Sequence, residues 1–239
     1  MAARKPRRHA GEHDLIEAFG QPGCPVCRLA TEAVDAYLTS VCYEQVNDLD
    51  LREQLRSAGG FCRDHAERFI RQRLGQLAAA IVYRDVLNTA RKRIAAGGGG
   101  GGGGGRSRLA AFFGGRIARP DPLAGLSCPG CEAESEAEER YLATLRNRLL
   151  DPAVRAKYQA GDGLCLPHID RALSADDEGA RVLADAATEM LGTIVADLDE
   201  YIRKHDYRFS TPVWDRGEDT PERAVERAVG QRPPPQFTS

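Results

Sequence analysis

The sequence predicts an all-α protein made of two similar helical halves, packed as one pseudo-symmetric body, each half carrying a Cys3His metal site where helices begin. Three observations lead there. Apolar residues recur at spacings of three and four, while strand-like alternation is absent and β-branched residues are sparse. A Cys-Pro-x-Cys pair followed by a Gly-x-Cys-x-x-His segment occurs twice, first as Cys24-Pro25-Val26-Cys27 with Gly60-Phe61-Cys62-Arg63-Asp64-His65, then as Cys128-Pro129-Gly130-Cys131 with Gly163-Leu164-Cys165-Leu166-Pro167-His168. Nine consecutive glycines, Gly97 to Gly105, lie between the two copies.

In chain order, residues 1–13 read as a flexible basic N-terminus. Residues 14–96 form the first helical repeat with its metal site. Val34, Leu38, Val41 and Gln45 mark its first helix, and Ile70, Leu74, Leu77 and Ile81 give the apolar stripe of a second, longer helical region. Residues 97–126 are a glycine-rich flexible linker. A run of glycines has maximal backbone freedom and no side chain to bury, and Pro120 and Pro122 break any helix that follows. Leu109-Ala110-Ala111-Phe112-Phe113 is expected to pack as a short helical turn. Residues 127–210 form the second repeat. Leu142, Leu145 and Leu149 mark its first helix, and Leu183, Met190, Leu191, Ile194, Leu198 and Ile202 mark its last. Residues 211–239 are a C-terminal extension: a short helix with Thr220 as its cap and Pro221 as its first residue, then a disordered tail from Gly230.

The repeat extends beyond the cysteines and histidines. At an offset of 104, Glu32 meets Glu136, Ala33 meets Ala137, Tyr37 meets Tyr141 and Leu38 meets Leu142. At an offset of 103, Asp48 meets Asp151, Arg52 meets Arg155 and Gly60 meets Gly163. One residue deleted between these two groups accounts for the change, and the pattern reads as an internal duplication.

Each set offers three thiolates and one imidazole, enough to close a tetrahedral site for one ion. Three-residue spacing on a helical turn puts the two sulfurs of Cys24 and Cys27 on one side, and does the same for Cys62 with His65. Backbone N–H groups at a helix start favour thiolate over thiol. Filling all four positions with protein leaves none for water or substrate, which points to a structural ion over a Lewis-acid catalyst. Two Zn2+ ions are expected, with Cys24, Cys27, Cys62 and His65 holding one and Cys128, Cys131, Cys165 and His168 the other. The shorter loop of a local site closes with less entropy loss. A crossed arrangement, with Cys24 and Cys27 joined to Cys165 and His168, is the alternative that the glycine run permits. An iron–sulfur cluster or a redox-active Cys-Pro-x-Cys pair are the other chemistries open to the same residues. The redox motif normally follows a strand, and none is evident.

Composition excludes several classes of function. The formal net charge is −2, and two zinc-loaded Cys3His sites bring it nearer to about −4, so no global positive field favours nucleic acid. The longest smooth apolar run, Leu77 to Val82, is far too short to span a bilayer, and no secretory pattern opens the chain. A soluble, cytoplasmic protein is expected, where paired cysteines serve metals more often than disulfides. No catalytic constellation stands out. Cys42, on an apolar helix face, reads as a buried free thiol. Asp48 with Arg52, and Asp151 with Arg155, are expected to pair at helical spacing. The acidic run Glu132, Glu134, Glu136, Glu138 and Glu139 is expected to be a solvated face, and Arg203 to Phe209 a helix C-terminus with cations complementing its dipole.

The segments Cys24-Pro-Val-Cys-Arg-Leu, Gly60-Phe-Cys-x-x-His, Ala80-Ile-Val-Tyr-Arg-Asp, Gly163-Leu-Cys-Leu-Pro-His and Arg203-Lys-His-Asp-Tyr-Arg-Phe resemble an uncharacterised bacterial family, a domain of unknown function, from about residue 14 to about residue 230. The resemblance implies a bacterial helical protein with duplicated Cys-x-x-Cys and Cys-x-x-His pairs and brings no activity, substrate or catalytic residue. The reading that results is a non-enzymatic, zinc-stabilised interaction or regulatory protein with an unknown protein partner, with a redox or iron–sulfur protein as the alternative. The oligomeric state is left open.

Overall fold

The computed structural model describes residues 10–95, 128–205 and 220–231. The predicted linker with its Leu109–Phe113 turn, residues 1–9, residues 206–219 and the tail beyond Gln231 lie outside the described residues. Within them the chain is all-α, with ten α-helices and no strand. No described helix is long and apolar enough to cross a membrane.

Helix α1 (Ala10–Ala18) begins inside the stretch expected to be loose. Then come α2 (Pro25–Ser40), a π-helical turn (Val41–Gln45), α3 (Leu49–Ala58), α4 (Arg63–Arg71) and α5 (Gly75–Ala95). The same order follows the second Cys-Pro-x-Cys pair: α6 (Pro129–Arg148), α7 (Pro152–Gln159), α8 (Leu166–Leu173) and α9 (Glu178–His205). Helix α10 (Thr220–Val229) starts one residue before the expected position. The π-turn sits where the offset between the copies changes from 104 to 103, between Leu38/Leu142 and Asp48/Asp151. Bonding from i to i+5 absorbs one extra residue without breaking a helix, so this turn can accommodate the residue by which the two spacings differ.

Local signals explain the helix ends. Asp48 accepts a hydrogen bond from Leu51 N at 2.9 Å and Asp151 from Ala153 N at 2.9 Å, so both acids cap the helices that follow. They do not pair with the arginines four residues on, as the spacing suggested. Arg52 instead meets Asp85 at 3.1 Å, and Arg155 donates to the Leu149 carbonyl. An acid at a cap position is held in the backbone's first turn, where it cannot also reach along the helix. Gly60 and Gly163 have φ of 106° and 68°, a left-handed turn that sends the chain into each Cys-x-x-His segment.

The residues form two compact units, and these are not the sequence halves 14–96 and 127–210. One unit takes the described residues up to Ala33 and from Glu134 onward; the other runs from Val34 to Ala133. The boundaries fall inside α2 and α6. In the first unit, Leu15, Val26, Leu142, Leu145, Leu164 and Leu183 are buried in one core, and Phe19 meets Tyr158 edge-on at 5.5 Å. In the second, Val34, Leu38, Leu55, Phe69, Val82 and Val86 form the core, with Phe61 and Phe69 at 5.0 Å.

The stripe predicted across Ile70, Leu74 and Leu77 is corrected. A break at Gln72–Leu74 separates α4 from α5, and these three side chains are exposed. The core face of α5 is Ala78, Ala79, Val82 and Val86, small residues that let the helix approach closely. The last helix of the second repeat keeps Leu183 buried and leaves Ile202 exposed.

Candidate metal centre

Two groups of four donor atoms form. Cys24, Cys27, Cys165 and His168 make one, and Cys62, His65, Cys128 and Cys131 make the other, with the donors of each group within 4.8 Å of one another. All eight residues singled out from the sequence are used, but the expected local partition is overturned: each group takes its Cys-x-x-Cys from one copy and its Cys-x-x-His from the other. The loop-entropy argument favoured the local solution but carries little weight. Cys27 to Cys62 spans 35 positions and Cys27 to Cys165 spans 138, a difference worth only about 1 kcal/mol of closure entropy. Packing decides instead. The starts of α2 and α8 sit on one shared apolar core, which also holds Cys24, Cys27 and Cys165.

In the first group, Nδ1 of His168 lies 3.4 Å from Cys24 Sγ, 3.4 Å from Cys27 Sγ and 3.1 Å from Cys165 Sγ, and the sulfurs of Cys27 and Cys165 are 3.7 Å apart. In the second, Nδ1 of His65 lies 3.1 Å from Cys62, 3.6 Å from Cys128 and 3.5 Å from Cys131, and Cys131 and Cys62 are 3.7 Å apart. A tetrahedron with arms of about 2.3 Å to sulfur and about 2.0 Å to nitrogen has edges of about 3.8 Å and about 3.5 Å. Both groups have that size. All seven cysteines are free thiols.

The donors face one another, which is awkward without a cation. The Cys24 thiol is driven well below its usual range by hydrogen bonds from Cys165, Cys27 and His168, which outweigh its burial. The Cys27 thiol is driven well above it by Cys165 and Cys24 and by burial. In the second group, burial works against ionisation of Cys128, but hydrogen bonds from His65 and from backbone N–H groups outweigh it and bring it down to about 6. Burial and the Cys128 charge push Cys131 up to about 12. In each group one thiol that ionises readily stands beside one that resists ionisation, Cys24 beside Cys27 and Cys128 beside Cys131, and a divalent ion would let all the sulfurs ionise.

Sequence reasoning missed what supports the first group. Glu138 Oε1 lies 3.1 Å from His168 Nε2, on the far side of the ring from the sulfurs, and Arg171 binds both Glu138 and Ser135 Oγ, the latter at 2.6 Å. Burial disfavours the imidazolium, but Cys165, Cys24 and Glu138 together raise His168 to about 11. This is the carboxylate–histidine arrangement that fixes a ligand's tautomer and orientation, so Glu138 is no part of a solvated face. A findable signal existed: Glu139 and Asp35 differ by 104, Arg171 and Arg68 by 103, and both pairs form, Arg171–Glu139 at 2.9 Å and Arg68–Asp35 at 2.9 Å.

The C-terminal helix was also missed as part of the site. Arg227 donates to the Leu164 carbonyl at 2.9 Å, and Arg223 meets Asp162 at 3.4 Å. Helix α10 then ends at Gly230, with φ of 84°, where an added Cβ would lie 3.2 Å from Cys27 Sγ and 3.3 Å from Cys165 Sγ. Gly230 and Gln231 are thus seated against the first group, whereas a disordered tail was expected from Gly230. A cleft of about 270 Å³ opens beside them, lined by Cys27, Thr31, Glu134, Glu138 and Gln231. In the second group the close approach is Gly130, where a Cβ would stand 2.6 Å from Cγ of His65. As expected, Cys42 is a buried free thiol, pushed up to about 11 by burial; of the stretch expected to be a helix C-terminus, Arg203 to His205 end α9, with Arg203 and Lys204 paired to Glu200, and residues 206–209 lie outside the described residues.

Known proteins add kinship without chemistry. A curated relative, the uncharacterized 23.9 kDa protein in the xynA 3′ region of Caldicellulosiruptor sp. (strain Rt8B.4), is 26% identical over 199 residues, covering 81% of this chain and 88% of that protein. No solved structure matches the chain. The model of a family of unknown function, DUF6062, matches residues 14–235, and the chain belongs to that family.

Proposed function

We propose that this is a non-enzymatic, internally duplicated helical protein in which two Zn2+ ions fasten the starts of helices together, and which works by binding another protein. The observation that carries the reading is the pair of Cys3His groups with the edge lengths of a single tetrahedral ion. Soft thiolates with one imidazole suit zinc, and four protein donors leave no position for a substrate. A cluster of several irons would hold its ligands further apart than these donors stand. Cys24, Cys27, Cys165 and His168 would hold one ion in the first unit; Cys62, His65, Cys128 and Cys131 would hold the other in the second. A bound zinc would supply charge neutralisation and cross-linking, and Glu138 would keep the His168 imidazole turned toward it.

Metal analysis of protein purified without oxygen tests this. The expected result is a colourless protein with two zinc ions per chain. A brown protein carrying iron and sulfide, or a metal-free protein with reversible Cys-Pro-x-Cys disulfides, would overturn it.

A further inference from the structure

We infer that the outer face of α5 is a docking surface for the outer face of α9 on a second copy of this chain. Opposite the buried Ala78, Val82 and Val86, helix α5 presents Leu77, Arg84, Leu87, Arg91 and Ile94 at alternating spacings of seven, three and four, the seam positions of a heptad. Leu77, Leu87 and Ile94 are 65%, 65% and 75% exposed. A helix that is apolar on both its inner and outer sides is one that buries both. The face carries no acid, and Arg84 and Arg91 have no ion pair among the described residues. The other arginines near α5 differ: Arg52 and Arg56 are both engaged by Asp85.

Helix α9 presents the complement. Opposite its buried Leu183 and Ala187, the exposed residues include Asp185, Val195, Asp199 and Ile202, with Val195 and Ile202 seven apart and Asp185 and Asp199 fourteen apart. Val195 and Ile202 are 56% and 64% exposed, and neither aspartate has an ion pair among the described residues. The registers match over the last two turns of α5. Laid parallel with Leu87 beside Val195, each partner lies 108 positions on, which sets Arg91 beside Asp199 and Ile94 beside Ile202, while Arg84 falls beside Gly192 and Leu77 beside Asp185. From Leu87 to Ile94 apolar residues meet apolar ones and an unpaired cation meets an unpaired anion, the pattern that fixes register in helix pairing. An anionic membrane would suit α5 alone and be repelled by α9, so the second copy accounts for both faces. The surface names a partner for the binding role proposed above but rests on α5 and α9 alone, and uses neither metal group.

Sedimentation of the full, metal-loaded chain tests it. The wild type is expected to self-associate, its apparent mass rising with concentration and falling as salt is raised. The variants Arg91→Glu and Asp199→Arg should each weaken association at least about tenfold, and mixing the two should restore it as a mixed complex. Helical content and metal content should not change, so failure here is separate from failure of the metal reading. A wild type that stays monomeric to its solubility limit, variants that associate as the wild type does, or a monomer whose α5 binds phosphatidylserine vesicles would each overturn the proposal.

Discussion

Around Cys24, Cys27, Cys165 and His168 every ligand is buried, Glu138 steadies the far side of the imidazole, and Gly230 closes over two of the sulfurs. Around Cys62, His65, Cys128 and Cys131 two of the sulfurs are only half-buried, and the counterpart of Glu138, at the offset of 104, is the core residue Val34. The donor sets are the same and their first-coordination geometry is nearly so. The surroundings differ in the three features that control how firmly a site keeps its ion: solvent access, orientation of the histidine, and coverage by neighbouring backbone. Identical ligands therefore predict the same metal and different exchange behaviour.

The largest expected effect is metal removal. Structural zinc is worth about 10–16 kcal/mol in small zinc-folded peptides, so stripping both ions should abolish the cooperative melting of this protein. The contrast between the sites appears in the order of loss. Under a chelator, the half-exposed Cys62 group should release its ion first, leaving an intermediate with one ion per chain. Simultaneous loss, or earlier loss from the Cys24 group, would break the comparison.

Two substitutions sharpen it from opposite sides. Gly130→Ala places a methyl against the His65 ring, which must move because the contact is far below van der Waals distance. Metal content should fall from two ions to about one, with the Cys24 group intact; two full equivalents in this variant would contradict the placement of His65. Glu138→Gln leaves the His168 ring in place but removes the charge behind it. Zinc affinity of the first group should drop about 10–100-fold while the second is unchanged, read by competition with a chromophoric chelator. Equal effects at both sites would remove Glu138 from its assigned role.

The smallest effect concerns Cys42, which belongs to neither group. Burial lifts its thiol to about 11, so the thiolate that reacts with iodoacetamide is scarce at neutral pH and grows only as pH approaches that value. Rapid neutral labelling of Cys42 in the native protein would contradict its burial.

The fold class and all eight donors were legible because spacing alone carries them: Cys-x-x-Cys and Cys-x-x-His on helix starts, and apolar residues at three and four. The partition was not. Which two pairs converge depends on whether Val26 and Leu29 of α2 pack with Leu164 and Leu183 or with the Phe61 core, a long-range packing choice that no local pattern records. The outer stripe of α5 misled for a related reason. Leu77 looks like core by type, while the true core face is alanine and valine, whose small side chains signal close packing only once a partner is known. Glu138 hid among five acids because its partner lies on another helix, and Gly230 because a proline-rich tail follows it.

The crossed partition is tested most directly by counting tightly bound zinc in two double variants. Cys24→Ser/Cys165→Ser strikes one group twice and should leave one ion per chain, held by Cys62, His65, Cys128 and Cys131. Cys24→Ser/Cys62→Ser strikes both groups and should leave none. The reverse outcome, no ion in the first variant and one in the second, would show that each ion is held within one sequence half and would contradict the account.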